Sequence, residues 1–320
     1  MITILQKNIS NRSQYIVFDI KKLELECNLP FDIFIKKENG FVLIVKSSTF
    51  ISQDIYYKLS KQTTLYISVD NNSLKQLNCT NIRSFVVINL DLNKKILELL
   101  YKVHSVNYTY LLAEHYKEDA KLCLESIIET IIYILTEKKD FLKDTIKYFS
   151  HEYKLETHSL HVAIFAVNLG IALKFPHEKL LQIGVAGLAH DIGVKSIDEN
   201  ILHKDSQLTP AEIALIHHHP QESALITKHN HIHNPYIIDA ITHHHERYDG
   251  SGYPGKLVRK EIGEFASILG ICDTFDALTN ERPYRKRFTY FEALKFMMKD
   301  ESMINKFNTD YLKAFLKSLI

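Results

Sequence analysis

The sequence predicts an α+β chain, with a small α/β domain over residues 1–100 and a helical domain over residues 101–320. Three observations carry this. Asn39-Gly40 separates two β-prone runs, Phe31 to Lys37 and Phe41 to Val45, which is a strong hairpin signal. From Ile96 onward, apolar residues recur at helical rather than strand spacing. Fifteen of the 17 histidines fall between His151 and His245, which assigns any metal chemistry to the helical half.

In order along the chain, the hairpin is followed by a short helix over Asp54 to Lys61 and a third strand over Thr64 to Val69. The Asn-rich stretch Asp70 to Thr80 reads as a loop at the edge of this unit. Ile96 to His104, Ala120 to Leu135 and Phe141 to Phe149 carry helical periodicity, and residues 101–150 form a helical linker within the second domain. From Thr157, a buried stripe runs through Val162, Phe165, Ala166, Leu169, Ala172 and Leu173. Leu180, Leu181, Gly184, Val185, Gly187 and Leu188 mark the next helix, whose glycines permit a close helix contact.

Composition narrows the function. A formal net charge of +1 provides no global field for a nucleic-acid polymer, so an anionic substrate must be attracted by a local site. No apolar run approaches the roughly 20 residues that span a bilayer. Met1 to Asn11 lacks the charged start and apolar core of a signal peptide. Cys27, Cys79, Cys123 and Cys272 are scattered and fit neither a zinc nor a disulfide pattern, so a cytoplasmic protein is expected.

Five short stretches stand out: His158, His190-Asp191, His219, His244-His245 and Asp273. Five imidazoles and two carboxylates without a thiolate suit iron, manganese or zinc, and are too nitrogen-rich for magnesium or calcium. A carboxylate can bridge two ions, and two ions sharing a hydroxide suit phosphate-ester hydrolysis. His217, His229, His231 and His233 read instead as helix-surface residues.

The motifs occur in the order THSLHV at 157–162, AHDIG at 189–193, His219-Pro220, HHERYDGSGYPG at 244–255 and CDTFDALTNERPYR at 272–285. This run resembles the bacterial HD-GYP domain family, a helical module within the HD phosphohydrolases. The resemblance implies a phosphodiesterase that hydrolyses cyclic di-GMP, by a hydroxide bridging two divalent ions, to the linear dinucleotide or two GMP. It implies iron, or next manganese, with His158, His190, Asp191 and Asp273 on one ion and Asp191, His219, His244 and His245 on the other. Asp191 would bridge, so His190 and Asp191 would form the catalytic heart. Tyr253 would contact substrate by its hydroxyl or ring face, and Arg282 and Arg285 would meet its phosphate. Glu246 and Asp276, next to ligands in sequence, are expected to orient imidazoles.

The chain departs from the family pattern at three positions. The lysine of HDxGK is Val194, so a phosphate contact is missing; Lys195 replaces it only if the helix ends near Gly193 and the backbone turns. The glutamate of members with a third metal is Lys154, so two ions are expected. Ser223 stands where glycine is common after His-Pro, and no function is attached to it. The segment PFDIFIKKENGFVLIV at 30–45 resembles, more weakly, small α/β domains ahead of some HD-GYP domains, which implies a regulatory or protein-partner role. A metal-containing cyclic di-GMP receptor with little turnover, a phosphodiesterase for another nucleotide, and ions serving only as a folding staple are the competing readings.

Overall fold

The computed structural model describes residues 15–18, 20, 29, 32–38, 40–47, 49–62, 64–68, 93–112, 117–138, 140–146, 154–204, 206–280 and 286–319. They divide into two compact units, Met1–Leu99 and Leu100–Ile320.

In the first unit, β1 (Tyr15–Phe18), β2 (Ile33–Lys37), β3 (Gly40–Val45) and β4 (Leu65–Ser68) form an antiparallel sheet in the order β1-β4-β2-β3, with α1 (Gln53–Ser60) before β4. Strand alternation separates its two sets of side chains. Ile33 and Ile67, paired in register, are fully buried, and Ile51, Leu59 and Leu65 are buried in the same unit. Phe34 and Tyr66 pair in register, and Tyr15 stacks on Phe41 at 3.8 Å. Two expectations change. Tyr15–Phe18 is a strand that the sequence analysis did not foresee, because four residues show too little alternation. Lys37 pairs with Gly40, so Gly40 opens β3 instead of separating the strands.

The helical part comprises α2 (Asn93–Leu112), α3 (Lys117–Glu137), α4 (Phe141–Thr145), α5 (Leu155–Ala172), α6 (His177–Ala189), α7 (Glu199–Leu202), α8 (Pro210–His217), α9 (His219–His229), α10 (Pro235–His243), α11 (Glu264–Thr279), α12 (Tyr290–Lys299) and α13 (Thr309–Ser318). Their starts are written locally: Thr209 with Glu212 and Thr289 with Glu292 form reciprocal capping boxes, and Asn234 and Asn308 cap α10 and α13.

The central helix, α5, packs on α6 and α11. By length and composition it is apolar enough to cross a membrane, yet 72% of it is buried in the bundle, as befits a core helix. Phe165 of α5, Phe275 of α11 and Phe315 of α13 meet edge to face with centroids 5.0–5.8 Å apart. Gly187 lets α6 approach α5: a Cβ there would stand 2.8 Å from the Cα of Ala163. This close contact brings His158 and His190-Asp191 to one end of two packed helices.

The stretch Asp70 to Thr80, the segment Met1 to Asn11, Cys27 and Cys79 lie outside the described residues. Cys272 is free and buried, whereas Cys123 is disulfide-bonded. The bond at Cys123 departs from the expectation that the scattered cysteines fit no disulfide pattern.

Candidate metal centre

Three of the candidate ligands share one local device. His190 follows the last residue of α6, His219 begins α9 immediately after α8, and His244 follows α10. Helix ends leave carbonyls without intrahelical partners. Each of these histidines donates Nδ1–H to the carbonyl three residues earlier: His190 to Gly187 at 2.8 Å, His219 to Ile216 at 2.7 Å and His244 to Ile241 at 2.7 Å. A carbonyl only accepts, so Nδ1 carries the proton and, in the neutral ring, Nε2 keeps its lone pair. His158, on α5, reaches the same state differently, through Nδ1 on the Oδ2 of Asp276 at 2.7 Å.

The four Nε2 atoms converge on Asp191. Its Oδ1 lies 3.1 Å from His219 Nε2 and 3.5 Å from His244 Nε2. Its Oδ2 lies 3.5 Å from His158 Nε2 and 3.4 Å from His190 Nε2. Asp273 places Oδ1 at 3.3 Å from His158 Nε2 and Oδ2 at 3.7 Å from His245 Nδ1. The seven side chains fall into two groups with ligand spacing, Asp191, His219, His244 and His245, and His158, His190 and Asp273.

A metal fits this donor set. The Nε2 atoms of His190, His219 and His244 and the Oδ1 of Asp191 are buried without a hydrogen-bond partner, an arrangement that is costly unless something else satisfies them. Burial and the neighbouring imidazoles push the His190 pKa down to about 4, and burial holds His245 well below its usual range. Burial alone would raise the Asp191 carboxyl, but the imidazoles of His190, His158, His219 and His244 packed around it hold it well below the usual carboxylate range. His219 goes the other way, its pKa raised by the Asp191 carboxylate against the effect of burial; neutral imidazoles with ionised carboxylates are the protonation state in which such groups bind metal.

The glycine-rich loop folds over this centre. Tyr253 stacks on His217 at 3.8 Å and on His245 at 4.7 Å, so its ring is already engaged. With these stacking contacts in place, the hydroxyl and ring edge are the parts of Tyr253 open to another contact. His217 is exposed at the end of α8, as expected of a helix-surface residue, and its ring also supports the tyrosine. Glu246 orients no imidazole in this arrangement. Its carboxylate accepts from the backbone N–H of Gly255 and of Leu257, the latter at 2.9 Å, and ties down the loop. Two charge-assisted bonds are lost in Glu246→Ala, which is expected to lower unfolding free energy by about 2–3 kcal/mol, measured by denaturant titration. An unchanged midpoint would contradict the tether.

The positions around the HD motif separate. α6 ends before Gly193, and a 3-10 turn over Ile192–Ser196 follows, so the backbone does turn. Lys195 is nevertheless exposed and pairs with Glu156 at 3.1 Å, while Val194 is half-buried. Lys154 is exposed at the start of α5. Arg282 and Arg285 lie outside the described residues. Ser223 has a structural part that was not foreseen, accepting from Gly193 N at 2.9 Å and fastening the turn to α9. The sequence analysis also missed Arg247, whose guanidinium donates to the carbonyls of His244 and Glu246.

The sequence matches the HD domain family over residues 130–305. It is 34% identical over 162 residues to a cyclic di-GMP phosphodiesterase of Pseudomonas aeruginosa, covering 51% of this chain and 38% of that protein. It is 34% identical over 145 residues to the 3'3'-cGAMP-specific phosphodiesterase 1 of Vibrio cholerae, covering 45% and 33%. The chain thus spans under half the length of these two relatives. Among solved structures, the HDG"Y"P protein Bd1817 from Bdellovibrio bacteriovorus superposes with a TM-score of 0.63 at 17% identity, covering 96% of this chain and 99% of that one, a likeness of fold.

Proposed function

The chain belongs to the HD domain family, and on that premise we propose that it is a metal-dependent phosphodiesterase that hydrolyses cyclic di-GMP. What supports this reading most is Asp191, whose two oxygens face different pairs of imidazoles within hydrogen-bonding or ligand range. In this reading His158, His190, Asp191 and Asp273 hold one ion, and Asp191, His219, His244 and His245 hold the second. Iron is the first candidate and manganese the next. Two such ions, when bound, lower the pKa of an attacking water and offset charge on the phosphoryl oxygens, the bridging-hydroxide chemistry expected from the sequence.

The chain's own residues do the rest. Two carboxylates neutralise only part of the charge of two divalent ions, so the centre stays positive toward an anionic phosphate. The Nδ1–H bonds hold the imidazoles in place before substrate arrives. Tyr253 offers its hydroxyl beside the centre, and Arg282 and Arg285 are assigned to substrate phosphate. Residues 1–100 are assigned a regulatory or partner-binding role, and residues 101–320 the chemistry. Turnover of cyclic di-GMP by purified, metal-loaded protein to the linear dinucleotide or GMP tests the reading. Tight binding of the dinucleotide without cleavage would replace it with the receptor reading, which Val194 favours. Preferential cleavage of 3'3'-cGAMP, the substrate in the name of the Vibrio relative, would favour another nucleotide.

Val194 gives a second measurement. Lys195 is engaged by Glu156, so a lysine at 194 would be a new cation beside the HD motif. Val194→Lys is expected to raise turnover about ten-fold, the value of one charge-assisted bond. A gain in kcat would mean that the cation meets charge developing in the transition state. If Lys195→Ala alone abolishes activity, Lys195 already supplies the contact and the pairing with Glu156 breaks on substrate binding.

A further inference from the structure

A chain of hydrogen bonds runs from His158 away from the candidate metal centre and reaches a residue outside the segment matched by the HD family. Asp276 of α11 accepts from His158 Nδ1 at 2.7 Å on Oδ2 and from His161 Nδ1 at 2.9 Å on Oδ1. Asn280 Nδ2 also donates to Oδ2, at 2.6 Å. His161 Nε2 meets the hydroxyl of Tyr101, on α2, at 2.5 Å, and the Tyr101 ring lies edge-on to the imidazole with centroids 5.6 Å apart. His158, His161 and Asp276 are all buried.

The order of donors follows from the chemistry. An ionised carboxylate only accepts, so Asp276 fixes both imidazoles with the proton on Nδ1. The neutral His161 ring then has Nε2 as an acceptor, and the Tyr101 hydroxyl donates to it. Each link constrains the next: Tyr101 sets the His161 ring, His161 holds one oxygen of Asp276, and Asp276 presents its other oxygen to His158. Of the candidate ligands, His190, His219 and His244 donate from their second ring nitrogen to rigid backbone carbonyls. His158 depends on a side chain, which can rotate unless something holds its far oxygen. Partners of this kind fix the orientation and raise the basicity of a metal-ligating imidazole.

We propose that Tyr101 is a positioning residue, acting through His161 and Asp276 on the metal affinity of His158. This rests on the reading of His158 as a ligand. It makes α2, which lies before residues 130–305, part of the apparatus that sets the centre.

The probe is Mn2+, added to the full chain and followed by binding isotherm and by the electron paramagnetic resonance of coupled and isolated ions. Tyr101→Phe keeps the ring and removes only the hydroxyl. It is expected to weaken one of two Mn2+ sites about ten-fold, as loss of such a partner does, and to leave the other within two-fold. The coupled signal should give way to that of an isolated ion at intermediate loading. His161→Ala should weaken the same site at least as much, and His161→Asn, whose amide can still donate to Asp276, should recover part of it. Unchanged affinity at both sites in Tyr101→Phe and His161→Ala overturns the proposal. So does equal weakening of both sites, which marks general damage to the fold. Wild-type protein that binds no Mn2+ overturns both this proposal and the proposed function. Wild-type protein that binds two ions but leaves cyclic di-GMP intact overturns the proposed function alone.

Discussion

Asp191→Asn is expected to lose metal from both halves of the centre and to lower phosphodiesterase turnover by on the order of 10³-fold, a loss of several kcal/mol of charge stabilisation. The geometry sets this apart from Asp273→Asn. Each Asp191 oxygen faces two imidazole Nε2 atoms, at 3.1 and 3.5 Å on one side and 3.4 and 3.5 Å on the other. Asp273 approaches one Nε2 at 3.3 Å, and His245 only at 3.7 Å. An amide at 191 leaves one oxygen as a weak, neutral donor and points an NH2 at two nitrogens that need a cation. Metal content of both variants, by elemental analysis after identical loading, gives the comparison. Asp191→Asn should retain less than one ion per chain and Asp273→Asn about one, from the number of ions each carboxylate serves. Equal loss, or greater loss in Asp273→Asn, would remove the bridging assignment.

Gly252→Ala carries the second large effect. A Cβ at this position would stand 2.4 Å from the backbone N of Arg247, 2.4 Å from the carbonyl oxygen of His245 and 2.5 Å from the Cα of Glu246. All three are backbone atoms of the segment that carries two candidate ligands, so no rotamer change can make room. Either the loop lifts or residues 245–247 shift. Overpacking of this kind costs about 1–3 kcal/mol, and more where the backbone must move. For a chain of this size, the midpoint of thermal unfolding should fall by roughly 4–10 °C. Tyr253 should lose its stacking on His217 and His245, which would appear as a weakened second ion. A variant with wild-type Tm and wild-type metal affinity would mean that the loop is not seated as described.

The seven candidate ligands were legible because each lies in a short motif whose chemistry is local: a His-Asp pair, a His-His pair, a histidine at a helix start. The helical periodicity likewise placed α5 and α6, and Gly184 and Gly187 marked the close packing between helices. What escaped were partnerships made across the fold. His161 has the same one-letter surroundings as a core histidine, and only the approach of α2 and α11 gives it Tyr101 and Asp276. Glu246, beside a ligand in sequence, turns instead to the loop backbone nine and eleven residues later. Ser223 reaches Gly193 across 30 residues. The strand Tyr15–Phe18 is too short for its alternation to register, and its partner β4 is some 50 residues away. Periodicity reports which face is buried; it carries no information on which polar atoms will meet there.

The three histidines that close on the carbonyl three residues back have a consequence for the entropy of ion capture. A ligand side chain free to rotate must be immobilised when the ion arrives, at about 0.5–1.5 kcal/mol each. In His190, His219 and His244 the Nδ1–H bond freezes the ring as soon as its helix end forms, and the ordering is completed during folding. In the proposed centre, ion binding would draw on a preorganised cage, in which the work left is to strip water from the ion. The same rigidity gives the cage a fixed size, so ions should be discriminated by radius and preferred geometry as well as by affinity for nitrogen.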